Sequence, residues 1–130
     1  MINTDVYNYI DVLDKAADAS SLRNKTIANN IANVDTPNYK RQDVSFASNL
    51  QEALKNSKYE SLDQKVGNVN MNRLKATVYT DSANYSYRLD GNNVDIDTEN
   101  TELASNQLLY DGITQSINSE FTNLKTVMKS

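Results

Sequence analysis

Apolar residues recur along a helical seam near the start of this chain and again near its end, and the segment between shows no such period. From Val6 the positions Ile10, Leu13, Ala17, Ser20, Asn24, Ile27, Ile31 and Val34 are spaced alternately by four and three residues, which keeps them on one helix face turned toward a partner. A helix from Asp5 to Val34 would be about 45 Å long at 1.5 Å rise per residue. Small or polar Ala17, Ser20 and Asn24 interrupt the middle of the seam. Such positions allow close helix approach and fix register at some cost in stability.

The C-terminal part repeats the theme. Between Glu99 and Met128 there is no proline, and Leu103, Leu109, Tyr110, Ile113, Ile117, Phe121, Leu124 and Met128 recur at helical spacing. Asp95, Asp97 and Glu99 gather at the start and Lys125 and Lys129 at the end, as the helix dipole favours, with Asp97 or Thr98 expected as N-cap. Gly112 breaks the interior at a cost of about 1 kcal/mol relative to alanine, for no reason visible in the sequence.

Between these stretches, residues 45–57 read as a short helix with Phe46, Leu50, Ala53 and Leu54 inward and Ser45 as cap. Residues 58–74 show no period and read as loop. KATVYT (75–80) and NYSYRLDGNNVDI (84–96) read as short strands, with Asp90 to Asn93 as a turn. The expected fold is mainly α: long N- and C-terminal helices pair as a coiled-coil-like bundle around a small irregular or β-hairpin middle, with divisions at 1–36, 37–97 and 98–130.

Composition narrows the function. The 130 residues include no His and no Cys, which removes the commonest general base, the usual zinc ligands, thiol nucleophiles and disulfides. No catalytic residue, cofactor or metal site is expected. DGNNVDID does not read as a calcium loop, because Gly91 directly follows Asp90 instead of standing sixth after alternating oxygen ligands. Asp95 and Asp97 share a face on an extended segment, but charge at a helix start explains them better than catalysis. Lys55, Lys58, Lys65, Arg73 and Lys75 are diluted by Glu52, Glu60 and Asp63, so no nucleic-acid surface is expected. MINTDVYNYIDVLDK has acids where a secretory signal needs a basic region and an apolar run, and no apolar run is long enough to span a membrane. Only 38% of the residues are hydrophobic. The long helices are therefore expected to find part of their burial in other molecules.

The stretch ANNIANVDTPNYKR, residues 28–41, places amides at Asn29, Asn30 and Asn33 beside Ile31 and Val34, then stops the helix at Thr36 and Pro37. Asn38 follows where the turn needs positive φ, and Tyr39, Lys40 and Arg41 start a differently directed segment. This pattern closely resembles the signature of the flagellar axial proteins of the rod and hook. Asp35 and Asn38 depart mildly from it, standing where asparagine and glycine are common. Residues 89–128, LDGNNVDIDTENTELASNQLLYDGITQSINSEFTNLKTVM, resemble the C-terminal block of the short proximal-rod subunits of that family.

The resemblance implies a structural subunit, not an enzyme. It would be exported uncleaved by the flagellar type III apparatus and polymerised into the torque-transmitting rod of the basal body in the periplasmic space. Partners would be other rod subunits and the rod-to-ring adaptor, in homo- and hetero-polymers, with no nucleic acid and no membrane insertion. Subunit packing would fall to Ile10, Leu13, Ile27, Ile31, Val34, Leu109, Ile113, Ile117, Phe121, Leu124 and Met128. Asn29, Asn30 and Asn33 would find amide or backbone partners at helix contacts and at the turn. Two alternatives stay open: another axial subunit of the same class, and a coiled-coil export chaperone or adaptor.

Overall fold

The first seam forms the long helix α1, Thr4–Ala32, and the second forms α4, Ile96–Lys129. A computed structural model describes residues 4–55, 61–67, 71, 74–81 and 88–129. Between the long helices lie strand β1 (Gln42–Ser45), helices α2 (Ala47–Lys55) and α3 (Leu62–Gly67), and strand β2 (Thr77–Thr80).

The two long helices pack against each other. Ser20 of α1 meets Asn106 of α4, while Asn30, ten residues further along α1, meets Glu99, seven residues earlier on α4. The pair is therefore antiparallel. Along α1 the seam is fully closed at Ser20 and Ile27 and half-buried at Ile10, Leu13, Ala17, Asn24 and Ile31. Along α4 the deepest positions are Glu99, Asn106 and Ile113, each one heptad from the next, and then Leu124.

The middle holds the expected small antiparallel pair, but between different strands. β2 pairs antiparallel with β1, Gln42 opposite Thr80 and Ser45 opposite Thr77. The expected partner strand, 84–96, has residues 84–87 outside the described residues, while Arg88 to Asp95 form a turn and an irregular approach to α4. Capping and bridging bonds from the Asn92 and Asn93 side-chain amides hold this segment against the turn after α1 and against Asp81, in place of a strand ladder. Residues 62–67 are helical where loop was expected, with Val66 buried and Tyr9 of α1 donating to Asp63 at 2.7 Å. Residues 58–60, 68–70, 72 and 73 of that expected loop, and Asn56 and Ser57 of the expected short helix, lie outside the described residues.

The cap of α4 is also displaced from expectation. Asp95 accepts the backbone N–H groups of Asp97 (3.0 Å) and Thr98 (3.3 Å), so it is the residue that satisfies the orphan donors of the first turn. Asp97 already lies inside the helix.

At the other end α1 stops at Ala32 and turns through residues 33–38. Asn38 takes φ 62° and Gly91 takes φ 77°, two left-handed residues held against each other: the Asn38 N–H donates to the Asp90 carbonyl at 2.7 Å. A Cβ on Gly91 would come within 2.5 Å of Asn38 Oδ1. Gly91→Ala is thus expected to destabilise the chain by at least the ~1–2 kcal/mol of a left-handed alanine, measured by urea unfolding. Asn38→Gly, which removes the clashing side chain and tolerates the same φ, is expected to recover part of that loss in the double variant.

Candidate functional site

The two sequence blocks that carry the family resemblance meet in space. The turn after α1 and the segment leading into α4 interlock in a polar junction, and Asn30 lies at its centre with no exposed surface. Its carboxamide donates to the Gln42 carbonyl at 2.8 Å and accepts the Gln42 N–H at 2.9 Å, so a side chain from α1 pairs with one residue of β1 as a neighbouring strand would. The same amide donates to Glu99 Oε2 at 3.1 Å, and its oxygen also accepts the Tyr39 hydroxyl at 3.1 Å.

Glu99 is likewise fully buried and is held on its other oxygen by Arg41 Nε at 2.5 Å. Arg41 reaches Asp81 at 2.8 Å and Asp43 at 3.4 Å, and Asp43 is gripped by Arg23, which also binds Glu102 of α4 at 2.6 Å. One network therefore ties α1, β1, the residue after β2, and α4. Burial alone would lower the Arg41 pKa, but its hydrogen bonds to Glu99 and Asp81 outweigh that and raise it. Burial would raise that of Asp43, yet the Arg23 hydrogen bond and the Val44 N–H hold it below the usual carboxylate value. The Tyr39 phenol is pushed up by burial and by the nearby Glu99 charge.

Asn92, buried completely, closes the C-terminus of α1. Its amide donates to the carbonyls of Asn33 (2.8 Å), Val34 (3.0 Å) and Thr36 (2.8 Å), three backbone acceptors of the turn that follows the helix. Arg88 adds a bond to the Val34 carbonyl at 2.6 Å, Lys40 Nζ donates to the Gly91 carbonyl, and Asn93 bridges the Arg41 N–H and the Asp81 carbonyl. Further along the helix pair, Asn106 donates to the Ser20 carbonyl and to Asn24 Oδ1 and accepts the Ser20 hydroxyl. No buried side-chain nitrogen or oxygen among the described residues lacks a partner.

The sequence-selected residues are sorted by this geometry. Asn30 and Asn33 engage backbone, Asn33 through the Asn29 carbonyl at 2.8 Å, and Asn33 also accepts the Thr36 hydroxyl at 3.0 Å, while the Asn29 side chain is exposed. Thr36, Pro37 and Asn38 lie on the surface of the turn and Tyr39 is half-buried. Ile27, Ile113 and Leu124 are buried within the chain. Ile10, Leu13, Ile31, Val34 and Ile117 are half-covered. Leu109, Phe121 and Met128 keep 55%, 51% and 64% of their surface exposed, so the apolar stripe of α4 is wider than α1 covers.

Sequence reasoning missed Arg23, Asn92, Glu99 and Asn106 as structural centres. Glu99, Asn106 and Ile113 follow one another at seven-residue spacing, a signal that two polar residues share the seam with the apolar ones.

Two long helices locked by a polar junction, with apolar stripes only partly covered, define a helical structural subunit. The family model described as "Flagella basal body rod protein" matches residues 10–40. The flagellar basal body rod protein FlgB of Bacillus subtilis (strain 168) is 38% identical over 120 residues, covering 92% of each chain. That of Borrelia hermsii is 39% identical over 128 residues, covering 92% of this chain and 95% of its own. That of Escherichia coli (strain K12) is 29% identical over 123 residues, covering 89% of each. The chain belongs to the flagellar basal body rod protein FlgB family, a family of structural proteins and not of enzymes. It is a component of the flagellar basal body rod.

The junction makes two testable demands. Arg41→Met would leave the buried Glu99 carboxylate without its guanidinium and is expected to cost about 3–5 kcal/mol; adding Glu99→Leu should restore part of this, as read by helical circular dichroism during urea unfolding. Acid should weaken the same site. Because the folded Asp43 pKa lies below its ordinary 3.8, its contribution is complete above that value and is lost as pH falls through the lower folded one. Asp43→Asn should flatten the decline in melting temperature below about pH 4.

Proposed function

We propose that this chain is a proximal-rod subunit that is exported by the flagellar type III apparatus and polymerises through its terminal helices into the torque-transmitting rod. Residues 1–36 and 98–130 act as the axial helices and residues 37–97 as the element that orients them. The observation that carries this reading is the exposure of Leu109, Phe121 and Met128 along a helix already paired with α1. Large apolar side chains left exposed on both flanks of a packed seam are available to a neighbouring molecule.

In this reading Ile27, Ile113 and Leu124 close the helix pair within a subunit, and Leu109, Phe121 and Met128 pack on neighbours. Those neighbours are further copies, other rod subunits and the rod-to-ring adaptor, met in the periplasmic space after export. No helix among the described residues is long and apolar enough to cross a membrane, which is compatible with a place in the rod. The polar junction supports rod membership over a coiled-coil chaperone, because it fixes the angle at which the chain leaves α1.

The role is tested by comparing two charges. Phe121 keeps about half of its surface exposed, so Phe121→Asp should cost the folded chain only about 1 kcal/mol, while cells carrying it lose rods and motility. The variant should still be recovered outside the cytoplasm of export-competent cells. Leu124→Asp, buried at 8% exposure, should instead unfold the chain itself. Motile Phe121→Asp cells with normal rods would overturn the packing role.

A further inference from the structure

Beside the helix pair, on the side of β1 and α2, lies an open apolar groove with a cavity volume of ≈ 360 Å³. It is lined by Ala16, Ala19, Phe46, Ala47, Leu50 and Leu109 among others. Arg23, the charged residue in its lining, is already committed to Asp43 and Glu102. We propose that this groove seats the outer face of α4 from a second copy of the chain, centred on Leu108, so that subunits join back to front. The inference rests on the rod-subunit reading and names the contact that reading leaves open.

Charge narrows the choice of occupant. An apolar groove penalises any ion it buries without a partner, which excludes the outer face of α1, where Asp11, Asp14, Asp18 and Lys25 are exposed. It also disfavours α3, whose exposed Leu62 is followed by Asp63. The outer face of α4 differs. Successive helical residues are about 100° apart, so Leu108 points away from Asn106, which is buried against α1, and it is 74% exposed. Around it Ala104, Ser105, Gly112 and Gln115 carry no charge, so this part of the face can enter an apolar groove without burying an ion. Asp111 borders this face on the side of Gln107, whose amide donates to it at 3.3 Å, and stays at the wet rim of the contact.

Gly112 adds an independent observation. A Cβ there would meet nothing within 4 Å, so within one chain the glycine weakens α4 without relieving any crowding. A neighbouring subunit laid across this turn accounts for it. The proposed contact is heterologous, the groove of one copy against the Leu108 face of the next, so repetition produces a ring or an open helical array instead of a closed two-fold dimer.

The absence of native cysteine allows a direct test with the full-length chain. Ala47→Cys marks the groove and Ser105→Cys marks the α4 face one turn from Leu108. Purified single-cysteine proteins, treated with a short bis-maleimide at the highest soluble concentration, should crosslink when mixed and not when alone. Leu108→Asp in the Ser105→Cys protein should abolish the product. Gly112→Leu should do the same while raising the melting temperature of the monomer, opposite signs that a purely internal role would not give. Three results would overturn the proposal: product from either protein alone, no product from the mixture, or an Ala47→Cys monomer whose introduced thiol resists a monofunctional maleimide.

Basal bodies purified from cells expressing the Ala47→Cys, Ser105→Cys double variant separate the two levels of the argument. A ladder of crosslinked chains supports both. Chain present in the rod fraction without a ladder overturns the groove contact and leaves the rod reading standing. Absence of the wild-type chain from that fraction overturns the rod reading, and the mixed proteins in solution then decide the groove alone.

Discussion

The carboxamide of Asn30 is the point on which the remaining structure depends. It satisfies both backbone groups of Gln42, holds Glu99 and receives Tyr39, so one side chain sets where β1 leaves α1 and where α4 begins. Only an amide offers a donor and an acceptor in the spacing of a peptide group. A carboxylate there would lack the donor that the Gln42 carbonyl needs and would place like charge beside Glu99. The Arg41 network then neutralises Glu99, and Asn92 closes the end of α1, which anchors the turn in one direction.

The interior that results is unusual in its polarity. Among the described residues, the largest fully enclosed side chains are Ile27 and Leu74 together with Glu99, Asn30, Asn92 and Asn106, so the polar ones outnumber the apolar. Hydrogen bonds contribute only about 0.5–1.5 kcal/mol each in net terms, but leaving one unmade is costly. An interior built this way gains uniqueness more than depth of stability, since any other register would strand buried polar groups. The apolar surface of Leu108, Leu109, Phe121 and Met128 remains outside. Under the proposed packing this division has a physical use: directional bonds define the shape of one molecule, and non-directional burial serves contacts between molecules.

Much of the architecture could be read from residue order. The alternation of four and three from Val6 to Val34 announces α1, and the acids before Glu99 with the long proline-free run announce α4. Pro37 and Asn38 mark the turn, and Asn38 has the positive φ expected of it. The middle was less legible. β2 was visible in KATVYT, but its partner was not: strand pairing depends on which segments remain free once side chains have tied others down, and the engagement of Asn92 and Asn93 is a long-range event. The short helix at 62–67 has too few residues for periodicity to reveal, and Asp95 as cap differs from its neighbours only in geometry.

The sequence by itself determined the elements that rest on local physics: two long amphipathic helices, the break between them, the scarcity of apolar core and the lack of the side chains most catalysis needs. It also carried the family, through the block at 28–41 and the block at 89–128. Tertiary structure alone decided that these two blocks are halves of one junction. Nothing local links Asn30 to Glu99 or Asn92 to the carbonyls after α1, because those bonds span 56 to 69 residues of chain. It also decided which apolar residues are buried inside the subunit and which stay outside. Helical spacing places Ile113, Leu124, Phe121 and Met128 on one broad stripe, and only the position of α1 across that stripe separates the covered from the exposed.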